Sequence, residues 1–192
     1  MEEYKVKIYE SGAKVWYFKG KKHREDGPAI EWSDGGKEWW LNDEPHRENG
    51  PAIEWSDGGE EWYLNGKPHR EDGPAIESQD GTKFWYFKGK KHREDGPAIE
   101  WFDGGKEWWL NGEPHREDGP AIEDNNGDKF WYLNGELHRE DGPAIEWSDG
   151  DKEWWLNGKH LMEEKFNCQK NQTCEGKIVE IEGKKYKLNL VK

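Results

Sequence analysis

The sequence predicts an all-β protein, an elongated single-layer sheet of about seven 23-residue β-hairpin units with a small C-terminal hairpin cap. Three observations predict it. The string His-Arg-Glu-Asp-Gly-Pro-Ala-Ile-Glu starts at His23, His46, His69, His92, His115 and His138, always 23 residues apart, with Asn49 replacing Asp in the second copy. An aromatic pair precedes each copy: Trp16-Tyr17, Trp39-Trp40, Trp62-Tyr63, Trp85-Tyr86, Trp108-Trp109 and Trp131-Tyr132, with a seventh pair at Trp154-Trp155. Turn signals recur at the same period, Asp-Gly between short aromatic and β-branched runs and Asn-Gly after them, and helical periodicity is absent. A fixed period of this length means stacked units rather than one globular core. Seven hairpins at two strand spacings each would make a rod of roughly 70 Å.

Taken in order, residues 1–15 read as a worn half unit that caps the N-terminal end, with Tyr9 at the place of Trp32 and Val15 at the place of Glu38. Residues 16–162 are the repeats. In residues 28–42 two β-prone runs flank Asp34-Gly35, and each unit reads as one hairpin about that turn. The copies differ in a coupled way. The place of Trp32 reads Trp55, Ser78, Trp101, Asp124 and Trp147, while the place of Glu38 reads Glu61, Phe84, Glu107, Phe130 and Glu153. Phe appears where the Trp is lost. This predicts that the two places face each other across the hairpin, pairing Trp32 with Glu38 about Gly35. Strand alternation then puts Ala29, Trp39 and Leu41 on a buried face and Ile30, Trp32 and Trp40 on a partly exposed one. Residues 163–192 leave the repeat, and residues 177–190 read as a hairpin turning at Glu182-Gly183 that caps the last unit. Residues 16–32 and 85–101 are identical, so part of the internal identity is the record of a three-unit duplication.

Composition bounds the function. The chain is 31% hydrophobic and 37% charged, a balance close to that of disordered chains, but 14 Trp supply large buried areas to a thin body. The net charge is −13, and the seven Lys and five Glu of residues 163–192 leave the rest more acidic still. Such a body does not bind nucleic-acid phosphates directly, which requires clustered Lys and Arg. It suits a basic partner or solubility. The start, Met1-Glu2-Glu3-Tyr4-Lys5, carries no apolar signal region, and no apolar run is long enough to span a membrane. Two cysteines, Cys168 and Cys174, make no disulfide scaffold, and a reducing cytoplasmic location is expected.

The string Asn65-Gly66-Lys67-Pro68-His69, followed by Asp80-Gly81 and Trp85, resembles MORN repeats, which are also 23-residue β-hairpins. The likeness covers residues 16–160. Arg-Glu-Asp-Gly follows the His here, where a MORN unit has Gly, so the chain is more similar to the MORN-repeat-variant proteins of bacteria, phages and large DNA viruses. The resemblance implies a hairpin-repeat fold. For function it implies scaffolding or protein binding, and for a phage protein interference with a host defence protein, by direct binding or acidic mimicry.

The repeated His23, His46, His69, His92, His115 and His138 share one set of neighbours, whereas a catalytic site gathers different groups at one place. With Arg24, Arg47, Arg70, Arg93, Arg116 and Arg139 they are expected to form a structural ladder, the arginines pairing with carboxylates of adjacent units. His160, Cys168 and Cys174 fall short of four zinc ligands, and no phosphate loop, nucleophile triad or calcium loop is recognisable, so no catalytic residue, metal or cofactor is assigned. The expected binding surface is aromatic: Tyr17, Trp40, Tyr63, Tyr86, Trp109, Tyr132 and Trp155, with Trp32, Trp55, Trp101 and Trp147 on the same face. The reading is a non-enzymatic scaffold for another protein with a basic or apolar surface, with a homodimer through the aromatic face left open. The alternatives are a carbohydrate-binding aromatic ladder and a nucleotide-binding sponge that uses Arg and Trp between units.

Overall fold

The computed structural model describes residues 3–171, 178–181 and 184–187. The chain folds as the expected all-β hairpin repeat, and divides into two compact units, Met1–Glu113 and Pro114–Lys192. In the first unit the main sheet is antiparallel and follows chain order: Tyr4–Ile8, Lys14–Phe18, Ile30–Glu31, Lys37–Glu38, Ile53–Glu54, Glu60–Glu61, Ile76–Glu77, Lys83–Phe84, Ile99–Glu100 and Lys106–Glu107. In the second the order is Ile122–Glu123, Lys129–Phe130, Ile145–Glu146, Lys152–Leu156 and Lys159–Leu161.

Each repeat builds two hairpins where the sequence reading counts one. The first turns at Asp-Gly and lies in the main sheet. Trp32 N–H donates to the Gly36 carbonyl and Gly35 N–H to the Trp32 carbonyl, with Gly35 at φ 101°. Only a residue free of a Cβ adopts that conformation cheaply, and it shortens the loop to three residues. The second hairpin turns at Asn-Gly in four copies and at Lys19-Gly20, Asn42-Asp43 and Lys88-Gly89 in the others, and in the inner copies it forms its own two-stranded pair, Tyr63–Leu64 with Lys67–Pro68 for example. Both central residues have positive φ, 52° at Asn65 and 72° at Gly66, which matches the right-handed twist of the flanking strands. The sequence shows this second turn, but two-residue strands are too short to display an alternation of their own.

The three-residue loop also corrects the register. Ile30, not Trp32, stands opposite Glu38, and Glu31 stands opposite Lys37. The expected pairing is displaced by two residues, so the faces stay the same and Trp32 meets Glu38 diagonally. The burial pattern needs a larger correction. Ala29, Ala52, Ala75, Ala98, Ala121 and Ala144 are fully buried, as expected. Ile30, Ile53, Ile99 and Ile145, expected on the more exposed face, are buried too, whereas the invariant Trp39 is only half-buried. The small Ala and the Ile form the closely packed rows. The indole lies at the edge of its unit under an arginine.

Successive second hairpins are tied together by backbone and by histidine. Arg47 N–H donates to the Tyr63 carbonyl, Gly66 N–H to the Pro45 carbonyl, and Asn65 N–H to His46 Nδ1 at 3.1 Å. The same three links recur at Arg70, Gly89 and Lys88. At the N-terminal end Tyr9 and Gly12 repeat the first turn, as the worn half unit predicts, and the Tyr4 ring packs 5.1 Å from Phe18.

The tail adds an element that the sequence reading misses. Glu163–Asn171 is an α-helix, with Glu163 and Glu164 in its first turn, where carboxylates favour the helix dipole, and with Phe166 buried. One apolar anchor in nine residues leaves no periodicity to read. Ile178–Ile181 pairs with Lys184–Lys187 as the expected hairpin. Its turn at Glu182-Gly183, and Cys174, lie outside the described residues.

Candidate functional site

Two surfaces carry the residues singled out above. The first is the aromatic face. The carboxylate of Glu38 accepts from two indoles, Trp32 Nε1 at 2.6 Å and Trp40 Nε1 at 2.7 Å. Glu107 does the same for Trp101 and Trp109, and Glu61 takes Trp55 Nε1 and the Tyr63 hydroxyl. In the copies with Phe84 and Phe130, the Phe instead meets the next Trp edge-on, Trp101 at 5.5 Å and Trp147 at 5.2 Å. The Tyr63 phenol is pushed up to about 12 by burial first and by the charge of Glu61 second. Burial raises Tyr86 and Tyr132 in the same direction.

Loop chemistry follows the same alternation. A Cβ on Gly36 would come within 3.2 Å of Trp32 Cδ1, so a glycine fits beneath the indole. Where the Trp is absent the place holds Thr82 or Asp128, and these accept the backbone N–H of Phe102 and of Ser148 in the following copy. The Ser148 N–H holds the Asp128 carboxyl below the usual carboxylate range. Asp151, which follows Trp147, departs from this pattern, and nothing in the structure explains it.

The ring faces of this surface are not equally free. Lys22 Nζ sits 4.2 Å from the Trp40 ring centre and Lys91 Nζ 4.3 Å from that of Trp109. Tyr17, Tyr63, Tyr86, Tyr132 and Trp155 are all half-buried. The exposed members are Trp32, Trp55, Trp101 and Trp147, at 42%, 44%, 38% and 36%. Beside Trp101 stands Phe102, 67% exposed, at a position that reads Ser33, Ser56, Gln79, Asn125 and Ser148 in the other full copies. The sequence reading overlooked Phe102, although its departure from the repeat was there to find.

The second surface is formed by the His-Arg-Glu-Asp loops. Each arginine clamps residues of its own unit, where the sequence reading expected pairing between units. Arg93 Nε donates to Asp95, its Nη1 to the Pro97 carbonyl and to Glu100, and its guanidinium lies 4.1 Å over Trp85. Arg24 repeats these contacts over Trp16, and Arg139 over Trp131. Arg47 keeps Pro51, Glu54 and Trp39, Arg70 keeps Asp72, Pro74 and Trp62, and Arg116 holds Asp118, Pro120 and Glu123. The bonds from Arg70 and Arg93 hold the carboxyls of Asp72 and Asp95 below their ordinary range. A Cβ on Gly96 would meet Arg93 Cζ at 3.0 Å, which accounts for glycine in the marker. The histidines carry the links between units: His23, His46, His69, His92, His115 and His138 each accept at Nδ1 from a backbone N–H of the following copy.

Between successive loops lie grooves floored by the invariant Trp and its Leu or Phe neighbour. In the first unit such grooves lie over Trp39 and Leu41, Trp62 and Leu64, and Trp85 and Phe87, and in the second over Trp131 and Leu133. Among the described residues no cluster of three His, Cys, Asp or Glu side chains could hold a metal ion, and no helix is long and apolar enough to cross a membrane. No protein-family model matches this chain, and no curated protein matches it.

Proposed function

We propose that this chain is a non-enzymatic repeat scaffold that binds another protein, and that the exposed tryptophans Trp32, Trp55 and Trp101 of the first unit form the contact surface with Trp101 and Phe102 as its anchor. The observation that carries this reading is Phe102. Five of six copies fold with a polar residue at that loop tip, so the repeat does not require an aromatic there. A Phe and a Trp exposed side by side are the kind of anchor that dominates interface energies. Within the first unit the half-buried Trp40, Tyr63 and Trp109 share the carboxylates of Glu38, Glu61 and Glu107 with these tryptophans. A carbohydrate ladder is less favoured, because lysines already lie over Trp40 and Trp109 where a sugar ring would stack. The partner has an apolar patch with basic surroundings, given the net charge of −13. The resemblance to phage and bacterial repeat-variant proteins makes a host defence protein the first partner to test.

The test begins with affinity capture of a partner and a dissociation constant for the wild-type chain. Phe102→Ser restores the residue found in three other copies and preserves the fold. It is expected to weaken binding at least tenfold, and Trp101→Ala more. Wild-type affinity in both variants would end the reading. Retention on a glycan matrix that is lost in Tyr86→Ala would replace it with carbohydrate binding.

A further inference from the structure

The three consecutive grooves of the first unit are separate from the aromatic face. Their volumes are about 460, 540 and 790 Å³. Each has an apolar floor and a charged rim. The rim of the groove over Trp85 holds Arg70 and Arg93 against Glu71, Asp72, Glu94 and Asp95. The side chains of Glu71 and Glu94 are 79% and 86% exposed, and those of Asp72 and Asp95 are 83% and 84% exposed. The arginines are committed: Arg93 donates to Asp95, Pro97 and Glu100, and its flat face lies on Trp85. What remains open is an aliphatic or aromatic floor beneath carboxylates.

We infer that these grooves take an extended basic segment of a partner protein, one Lys or Arg side chain per groove. The methylene stem of such a side chain suits a floor of Leu41, Leu64 or Phe87, with its charged head among the rim carboxylates. The alternative occupant with the same shape, a nucleotide, needs free guanidinium donors and a free indole face. Here the clamp already uses Nε and Nη1 of Arg93 and one face of Trp85, and the exposed rim is negative.

The repeat sets the spacing of the bound cations. Successive grooves are separated by two strands of the main sheet, about 9.4–9.8 Å. A polyproline II segment rises about 3.1 Å per residue with three residues per turn, so every third side chain points the same way and advances about 9.3 Å. A β-strand advances a similar distance in three residues but turns its third side chain to the opposite face. The recognised segment is therefore a polyproline-type one with a cation at every third position.

The test is fluorescence polarisation of labelled twelve-residue peptides against the full chain at low salt. One peptide is Arg-Pro-Pro repeated four times. The other has the same composition with its arginines bunched at one end. The periodic peptide is expected to bind at least tenfold more tightly, to weaken as salt is raised, and to lose at least tenfold in a chain carrying Glu48→Gln, Glu71→Gln and Glu94→Gln. These three carboxylates are exposed, and an unchanged thermal midpoint in the variant verifies its fold. A preference below tenfold overturns the inference, as does no binding, or displacement of the peptide by ATP. Phe102→Ser should leave peptide affinity unchanged, so this inference and the aromatic contact surface can fail independently.

Discussion

Trp32 Nε1 donates to Glu38 Oε1 at 2.6 Å, reaching diagonally from the residue that enters the Asp34-Gly35 turn to the strand that leaves it. The other oxygen of the same carboxylate takes the Trp40 indole. One Glu thus satisfies two indoles, and it is useful only where an indole precedes the turn. Where Ser78 or Asp124 stands instead, Phe84 or Phe130 fills the place and packs against the next Trp. The exchange is a switch between hydrogen bonding and ring contact at one place in the sheet.

This predicts energetic coupling. Glu61→Phe removes the acceptor of both Trp55 Nε1 and the Tyr63 hydroxyl, and should cost about 0.5–1.5 kcal/mol in a chain where both groups keep some access to water. The double variant Trp55→Ser with Glu61→Phe recreates a combination the protein already uses. Its loss should fall short of the sum of the single losses by about 0.5 kcal/mol or more. Urea midpoints of the four chains decide it, and additivity would mean the two places are independent.

The sequence made this coupling legible before the structure did, because six copies act as an internal comparison. The period, the first turn and the worn half unit at Tyr9 were legible for the same reason. The register was not. A glycine at φ 101° inserts its extra residue without any mark that separates a three-residue loop from a five-residue one. Burial was misread because an invariant Trp suggests a core. Trp85 is invariant for another reason, as the plate on which Arg93 lies, while the Ala98 and Ile99 rows close the core. The anchor at Phe102 was hidden by attention to what repeats, since it is visible only as the residue that does not.

The histidines should prove structural. Asn111 N–H donates to His92 Nδ1 at 3.1 Å, so Nδ1 is the acceptor and the proton of the neutral ring is on Nε2. His92→Ala leaves that N–H without its partner and should cost about 0.5–1.5 kcal/mol. His92→Asn carries an oxygen at nearly the position of Nδ1 and should recover part of the loss. If thermal unfolding finds the two variants equally unstable, ring packing rather than this bond is what the histidine supplies.

The second turns are unequal, and their differences should be measurable. Asn65-Gly66 is well matched to two positive φ values, whereas Lys88 takes φ 51° with a side chain that has no amide to bond its own backbone and lies over the Phe87 ring instead. Lys88→Asn should therefore stabilise the chain by a few tenths of a kcal/mol, about the scale of compatible turn substitutions. Gly66→Ala should cost about 1 kcal/mol or more, since φ 72° suits glycine and the new Cβ would lie 3.4 Å from Glu44 Cγ. Asp43, at φ 69°, is a mixed case. Its carboxylate accepts Lys22 N–H at 2.7 Å, so Asp43→Gly relieves the backbone but loses that bond and should change stability little. Denaturant midpoints should be highest for Lys88→Asn, intermediate for Asp43→Gly and lowest for Gly66→Ala, and a destabilised Lys88→Asn would refute the turn argument.

Alkaline titration gives a prediction of definite sign. Burial, reinforced by the charge of Glu61 and its hydrogen bond, raises the Tyr63 phenol to about 12, while in the unfolded chain it ionises near the ordinary value of about 10. Between those values the folded chain holds a proton that the unfolded chain has released. The stability associated with this group is therefore fully present below about pH 10 and is lost as pH rises toward about 12. Tyr86 and Tyr132, also raised by burial, act in the same direction. Other groups titrate over the same range, so the informative quantity is a difference. Urea midpoints measured from pH 8 to pH 11.5 should fall more steeply above pH 10 for the wild-type chain than for Tyr63→Phe, which has no phenol to ionise. The two curves should run parallel below pH 9 and converge above pH 10. If they stay parallel throughout, the Tyr63 hydroxyl is as free to ionise in the folded protein as in the unfolded chain, and Glu61 does not hold it.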